Sequence, residues 1–257
     1  MSKIAFGLLE GTAFTRTLNR WARAAKNAGT VPISTLRRER NQAQALKTHL
    51  DLLIHRADER LALPLIGATT FHKPHNADWA WRPSLWRAPL ATPGIATQRN
   101  KTEVSDEVSV FHDCTLSAIT LRQRRNLREE DLAAFALRME VYQFEGSFLS
   151  LVIDLPEAAV SALKRSHIIR MDALVELEKP IEMFARLNIK NGPNTEQLVR
   201  EMPVQSDRHQ VEFDLAYSKL NEKRVERAWI DVIFERPQMN ELILRDLTLS
   251  RRPRAHL

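Results

Sequence analysis

Beyond Glu107 the chain alternates apolar and polar residues with a period of two. In 134–141, Phe135, Leu137, Met139 and Val141 fall on one side, with Arg138 and Glu140 on the other. In 209–217, Val211, Phe213, Leu215 and Tyr217 alternate with Glu212 and Asp214. In 227–235, Trp229, Asp231 and Ile233 share one face, and Ile230, Val232 and Phe234 the other. In 241–250, Leu242, Leu244, Asp246 and Thr248 alternate with Ile243, Arg245, Leu247 and Leu249. A strand with one face on a core and one in water has this pattern. It predicts strands at about 107–113, 117–123, 134–144, 147–154, 167–178, 181–190, 195–202, 209–217, 227–235 and 241–250. Turn residues separate them, among them Glu145-Gly146, Glu178-Lys179-Pro180, Asn191-Gly192-Pro193-Asn194 and the stretch from Arg236 to Asn240. A short helix is expected over 156–165, with Pro156 in its first turn. So many short strands with tight connections predict a mainly β domain over 107–257, an antiparallel, jelly-roll-like β-sandwich.

Toward the N-terminus the period changes. Ile4, Leu8, Phe14, Leu18, Trp21 and Ala25 recur at helical spacing, with Lys3, Arg16, Arg20, Arg23 and Lys26 on the polar side. A helix over 3–27 is predicted, ended by Gly29 and Pro32. A second is predicted over 34–63, capped by Ser34 or Thr35, with Leu46, Leu50, Leu53, Ala57 and Leu61 in one seam. That seam has to pack on something: on the first helix as a hairpin, on the sandwich, or on another copy as a coiled coil. A helical pair is therefore expected over 1–63. Between it and the sandwich, 64–106 is rich in proline and lacks periodicity, which predicts a long linker.

Charge is distributed unevenly among these three parts. Residues 1–63 hold 11 Lys/Arg against 5 Asp/Glu, 64–106 hold 5 against 3, and 107–257 hold 22 against 24. The sandwich is nearly neutral, which argues against nucleic-acid binding by its sheets. The basic helices suit an acidic partner or a membrane surface, although the mixed run Arg37-Arg38-Glu39-Arg40 also suits a solvated helix face. Cys114 is the single cysteine, so no intramolecular disulfide forms. The apolar run in Met1–Gly11 is broken by Glu10 and has no small-residue cleavage site, so no signal peptide is read and a cytoplasmic location is expected. No stretch reaches the ~18 apolar residues of a spanning helix. The oligomeric state is left open.

Two local clusters carry candidate binding chemistry. Trp79, Trp81 and Trp86 lie within eight residues, with Arg82 and Arg87 among them. Exposed, such rings and guanidinium groups make a contact surface for a partner; buried, they anchor the linker. The second cluster surrounds the turn after Asn188: Arg186, Asn188, Lys190, Asn191, Asn194, Glu196 and Gln197, with Trp229 nearby. Amides donate and accept at once, as a hydroxyl-rich ligand requires, and Asn, Gly and Pro also serve a tight turn.

Catalytic and metal patterns are weaker. Glu176, Glu178, Glu182, Asp231 and Glu235 could supply a carboxylate pair, and Asp231 and Glu235 share a strand face. His112 and Cys114 also share a face, but a single Cys–His pair fits a buried thiol as well as a nucleophile. The histidines His72, His75, His112 and His209 have no zinc-ligand spacing with Cys114, and a calcium role for Asp113 or Asp246 would rest on analogy with jelly rolls. No cofactor is predicted.

The segment Phe148-Leu149-Ser150-Leu151-Val152-Ile153-Asp154-Leu155-Pro156, together with 184–189, 192–197, 213–217 and 220–226, resembles a family of alphaproteobacterial proteins with no assigned activity. The stretch from Asp78-Trp79 to Trp86-Arg87 and Phe111-His112-Asp113-Cys114 are similar to the same family. The ending Ala228-Trp229-Ile230-Asp231-Val232-Ile233-Phe234-Glu235, then Pro237 and 242–249, resembles the last two strands of jelly-roll carbohydrate-binding modules. That resemblance implies glycan binding. The expected function is a non-catalytic binding module for a glycan or other polar ligand. The alternative is a protein-interaction or scaffold protein acting through the helical arm and the Trp-rich linker.

Overall fold

The computed structural model describes residues 3–66, 71–97, 99–161, 163–203 and 206–254. The chain divides into two compact units, Met1–Arg56 and Ala57–Leu257.

The first unit is a helical hairpin made by α1 (Lys3–Asn27) and the greater part of α2 (Ile33–Ile66). Thr30 closes the turn, its backbone N–H and its hydroxyl both donating to the Asn27 carbonyl at 3.0 Å. Across the hairpin, the Arg20 guanidinium donates to Gln42 Oε1 at 3.2 Å. α2 starts just ahead of the expected caps, with Leu36 N–H donating to the Pro32 carbonyl. Trp21, Ala24 and Ala28 are half-buried, whereas Phe14, Leu18, Leu50 and Leu53 are exposed.

The second unit is the sandwich. In chain order it contains β1 (Trp79–Trp81), α3 (Ser84–Arg87), β2 (Gly94–Thr97), β3 (Lys101–Glu103), β4 (Val108–His112), β5 (Ser117–Arg125), β6 (Phe135–Phe144) and β7 (Phe148–Asp154). There follow α4 (Glu157–Val160), β8 (His167–Leu177), β9 (Met183–Asn191), β10 (Asn194–Met202), β11 (Arg208–Asp214), β12 (Val225–Glu235) and β13 (Asn240–Pro253). One sheet has the order β11-β8-β13-β6-β5-β2, with β1 added beside β13; the other has the order β10-β9-β12-β7-β4-β3. Neighbours are antiparallel, and the chain passes repeatedly from one sheet to the other, as from β6 to β7 and from β12 to β13. Each strand expected from the alternation is present. The helix expected over 156–165 is one turn long.

Apolar positions of both sheets meet between the layers. Leu137, Met139, Ile169, Met171 and Phe213 come from one sheet, and Leu149, Leu151, Ile153, Leu187, Ile230, Val232 and Phe234 from the other. Burying each such side chain contributes about 1.5–3 kcal/mol before entropy is counted.

Two of the breaks in the alternation have a clear local reason. In β13 a bulge between Leu244 and Asp246 inserts one residue. Leu242 and Leu244 before it, and Leu247 and Leu249 after it, can then all enter the core, where strict alternation puts them on opposite faces. After Asp214 the chain leaves β11 in a short 3₁₀ turn over Leu215–Tyr217, capped by the Asp214 carboxylate, which accepts from Ala216 N–H at 3.0 Å. Tyr217 is therefore 77% exposed although it continues the apolar series.

The described part of the expected linker, 71–97 and 99–106, is woven into the sandwich. β1 pairs with 249–251 of β13, β2 pairs with β5, and β3 pairs with β4. Short strands of three or four residues carry too few alternations to stand out from a proline-rich stretch. α3 fills the gap beside the bulge. Trp86 is fully buried and its indole N–H donates to the Leu244 carbonyl at 3.0 Å. Gln123 holds the plug, its amide donating to the carbonyls of Leu85 and Ala88 and accepting from Leu90 N–H. Glu107 fixes the start of α3 by accepting from the Ser84 N–H and hydroxyl at 2.6 and 2.7 Å.

Candidate functional site

The outer face of the β10-β9-β12-β7-β4-β3 sheet carries an organised polar surface. Its geometry follows from register. Gln197 pairs with Asn188, Asn188 with Trp229, and Trp229 with Asp154, so these four form one row across β10, β9, β12 and β7. Val199, Arg186, Asp231, Val152 and Ser109 form the adjacent row. Alternation sends the residues between them into the core.

Asp231 sits at the centre and is 3% exposed. Its Oδ2 accepts from Arg186 Nε at 2.8 Å, Arg186 Nη2 at 2.6 Å and Asn188 Nδ2 at 2.9 Å. Asn188 is itself buried and accepts through Oδ1 from Gln197 Nε2 at 3.1 Å. The chain Gln197–Asn188–Asp231–Arg186 is thus one connected network running from solvent into the sheet. Trp229 is half-buried beside it, with the Arg227 guanidinium 5.1 Å from the ring centroid. Arg227 also donates to Asp154 Oδ1 through Nε at 2.9 Å and Nη2 at 2.5 Å. A shallow groove of ≈ 550 Å³ continues from Arg227 and Asp154 past Ser109 and Phe111 to Lys101 and Glu103. Lys101 lies 5.6 Å over the Phe111 ring. The buried Ser105 hydroxyl, on the groove wall, has no hydrogen-bond partner.

Of the residues singled out from the sequence, Arg186, Asn188, Gln197 and Trp229 meet on this face. Lys190 lies on the same face and pairs with Glu226 at 2.8 Å. Asn191, Asn194 and Glu196 have the opposite parity and leave the cluster. Asn191 is buried, Asn194 is exposed at the hairpin, and Glu196 accepts from Lys219 N–H at 3.0 Å. The hairpin loop is two residues, Gly192-Pro193, and Gly192 has φ +63°, the conformation for which a turn selects glycine. Arg227, Asp154, Ser109, Phe111 and Lys101 had no signal in the sequence, because only the cross-strand register brings them together.

The tryptophan cluster is divided. Trp86 and Arg82 are buried, which is the anchoring alternative. Trp79 and Trp81 are half-buried and stacked, with centroids 6.2 Å apart, and Arg87 is half-buried. Arg82 binds Asp246 through Nε and Nη2, both at 2.8 Å, and lies 5.1 Å over the Phe71 ring. Burial pushes the Asp246 carboxyl above the usual carboxylate range, against the pull of Arg82.

Other candidate groups are engaged elsewhere. Cys114 is buried, its thiol donating to the Leu116 carbonyl at 2.7 Å and accepting from Glu145 N–H at 3.1 Å. His112 packs edge-on against Phe144 in the core, without a hydrogen-bond partner on either ring nitrogen. Asp113 accepts from the Ser147 N–H and hydroxyl. Glu176 accepts from Arg128 and Arg245. Asp231 and Glu235, four residues apart on a strand, have Cα atoms ~13 Å apart, too far for two carboxyls flanking one glycosidic bond. Among the described residues no group of three or more His, Cys, Asp or Glu converges as a metal site requires.

Residues 1–257 match the model of one family, described as a family of unknown function (DUF6478), and the chain belongs to it. No curated protein matches the chain in sequence. Among solved structures, the family 11 carbohydrate-binding module from Clostridium thermocellum, in complex with a beta-1,3-1,4-mixed-linked tetrasaccharide, is similar at 10% identity and TM-score 0.38, over 63% of this chain and 98% of that one. The CBM22-1 xylan-binding domain of Paenibacillus barcinonensis Xyn10C is similar at 8% identity and TM-score 0.39, over 63% and 94%. The enzymatically active domain of tailspike protein 4 of bacteriophage CBA120 is similar at 7% identity and TM-score 0.39, over 56% of this chain but 19% of that one.

Proposed function

We propose that this member of DUF6478 is a non-catalytic binding module whose outer sheet face around Trp229 takes an uncharged, hydroxyl-rich ligand, a glycan. One observation carries the reading: a half-buried indole is framed by polar groups whose charges cancel in pairs. Arg186 is matched by Asp231, Arg227 by Asp154 and Lys190 by Glu226. Such a face has little net field to attract an ion. It retains many directed donors and acceptors, with the Gln197 amide at its rim. The Trp229 ring and the guanidinium lying on it give a flat platform for the apolar face of a sugar ring. The groove beyond Asp154 extends the platform along the sheet.

The test is a glycan array with the full chain, followed by calorimetric titration of any oligosaccharide retained. Covering ~60 Å² of the indole is worth about 1.5 kcal/mol, so Trp229→Ala should weaken binding about tenfold or more. Gln197→Ala should weaken it less and, by leaving the buried Asn188 Oδ1 without its donor, should lower stability by about 1–3 kcal/mol. Absence of any binding at millimolar oligosaccharide, or binding unaffected by Trp229→Ala, rejects the site.

A further inference from the structure

We propose that the helical hairpin α1–α2 lies on an anionic lipid surface, with the Phe14–Leu18 stripe of α1 set into the boundary between headgroups and acyl chains. Two properties of the hairpin coincide. Several of its large apolar side chains are left in the open: Phe14 is 69% exposed, Leu18 56%, Leu50 47%, Leu53 63% and Ile54 55%. Scattered single residues of this kind need no explanation, but a series along two paired helices marks a contact surface. The same unit is strongly basic. Residues 1–56 hold ten Lys/Arg against three Asp/Glu.

On α1, Phe14, Leu18, Trp21 and Ala25 follow at steps of four, three and four along one stripe, and Arg16, Arg20 and Arg23 follow at four and three along the other side. Arg16, Arg20, Arg23 and Lys26 are exposed. Gln42 of α2 meets Arg20, and the half-buried Trp21, Ala24 and Ala28 mark the flank toward the turn, so α2 leaves the Phe14–Leu18 stripe uncovered. An apolar stripe led by Phe14 and Leu18, backed by arginines, is the composition of a helix lying in a membrane interface. No helix among the described residues is long and apolar enough to cross a membrane. Charge selects the occupant. A second copy of a hairpin with an excess of seven positive groups would be repelled from this stripe, whereas an acidic bilayer supplies both hydrocarbon and countercharge.

The experiment is co-sedimentation of the full chain with vesicles of phosphatidylcholine alone and of phosphatidylcholine with about 30 mol % phosphatidylglycerol. Binding to the anionic vesicles is expected to be at least about tenfold stronger, and to fall as salt shortens the Debye length. The paired change Phe14→Ser with Leu18→Ser, and separately Arg16→Glu with Arg23→Glu, should each reduce it about tenfold. All four positions are exposed, and an unchanged circular dichroism spectrum would show that the hairpin is retained. Equal binding to both vesicles, binding to neither, or full binding by the serine variant overturns the proposal. So does a dimer in sedimentation equilibrium that the serine variant dissociates while vesicles fail to bind. Glycan binding through Trp229 is independent of every one of these outcomes.

Discussion

Replacing Arg82 by methionine tests how the segment before β2 is held to the sheet. The Arg82 side chain is fully buried, and the Asp246 side chain it binds is 22% exposed. Methionine keeps much of the aliphatic volume but leaves the Asp246 carboxylate without its two charge-assisted bonds and the Leu132 carbonyl without its bond from Nη1. Breaking a buried pair from one side costs about 3–5 kcal/mol, and the partial exposure of Asp246 puts the expected loss near the lower end. For a unit of about 200 residues, ~3 kcal/mol corresponds to a fall in Tm of roughly 6–12 °C. Urea unfolding followed by circular dichroism at pH 7 measures the loss, with the slope unchanged if only stability has moved.

The sign of the pH effect gives a second readout. The Asp246 carboxyl already titrates above its unfolded value because it is buried. The folded state therefore binds the proton more readily than the unfolded state, and this contribution favours folding as pH falls through the folded pKa. Without Arg82 the shift grows, so the deficit of Arg82→Met should narrow as pH falls from 7 through the raised Asp246 pKa. Adding Asp246→Asn should recover part of it. A loss under about 1 kcal/mol at pH 7, or a deficit that does not change with pH, would refute the assignment of Arg82 as a buried tether.

Three further outcomes are expected. Trp86→Ala should cost about 3–5 kcal/mol by emptying the plug beside the β13 bulge, whereas Trp79→Ala, at a half-buried site, should cost clearly less in the same urea titration. His209 has no partner on either ring nitrogen, and burial lowers its pKa, as burial and the Arg251 charge lower that of His167. Both take up a proton less readily in the folded state than in the unfolded chain, which titrates near pH 6.5, so stability should decline as pH falls from there; His209→Leu should flatten that decline in thermal scans. At Gly146 an added Cβ would run into the Asp113 carboxylate and come within 3.0 Å of Cys114 N, so Gly146→Ala should lower Tm, and an unchanged Tm would show that the β6–β7 turn yields freely.

The sandwich was readable because its strands are long enough to repeat the apolar–polar alternation several times. β6, β9 and β12 each do so over nine or more residues. Three- and four-residue strands such as β1, β2 and β3 do not, and proline nearby gives the impression of a linker. Half of the candidate face was readable by the same route. Parity along β9 and β12 places Arg186 and Asn188, and Trp229 and Asp231, on common faces once they are strands. Parity also removes Asn191 and Glu196, which proximity in sequence had grouped with them. Asp154, Ser109 and Phe111 come from strands distant in sequence, and nothing in a single chain states which strands become neighbours.

β13 joins three strands. It runs along β8 for nearly its whole length, and on its other side it pairs with β6 and then, past the bulge, with β1. All three are translated before it. Without β13, β11 with β8, and β2 with β5 and β6, are two fragments of that sheet with no strand between them. Only β13 joins the two fragments, so closure is a late event made of contacts far apart in sequence, which slows folding and prolongs exposure of strand edges. A stop between Glu235 and Asn240 would keep the other strands of that sheet, yet it would leave two half-sheets rather than a shortened sandwich.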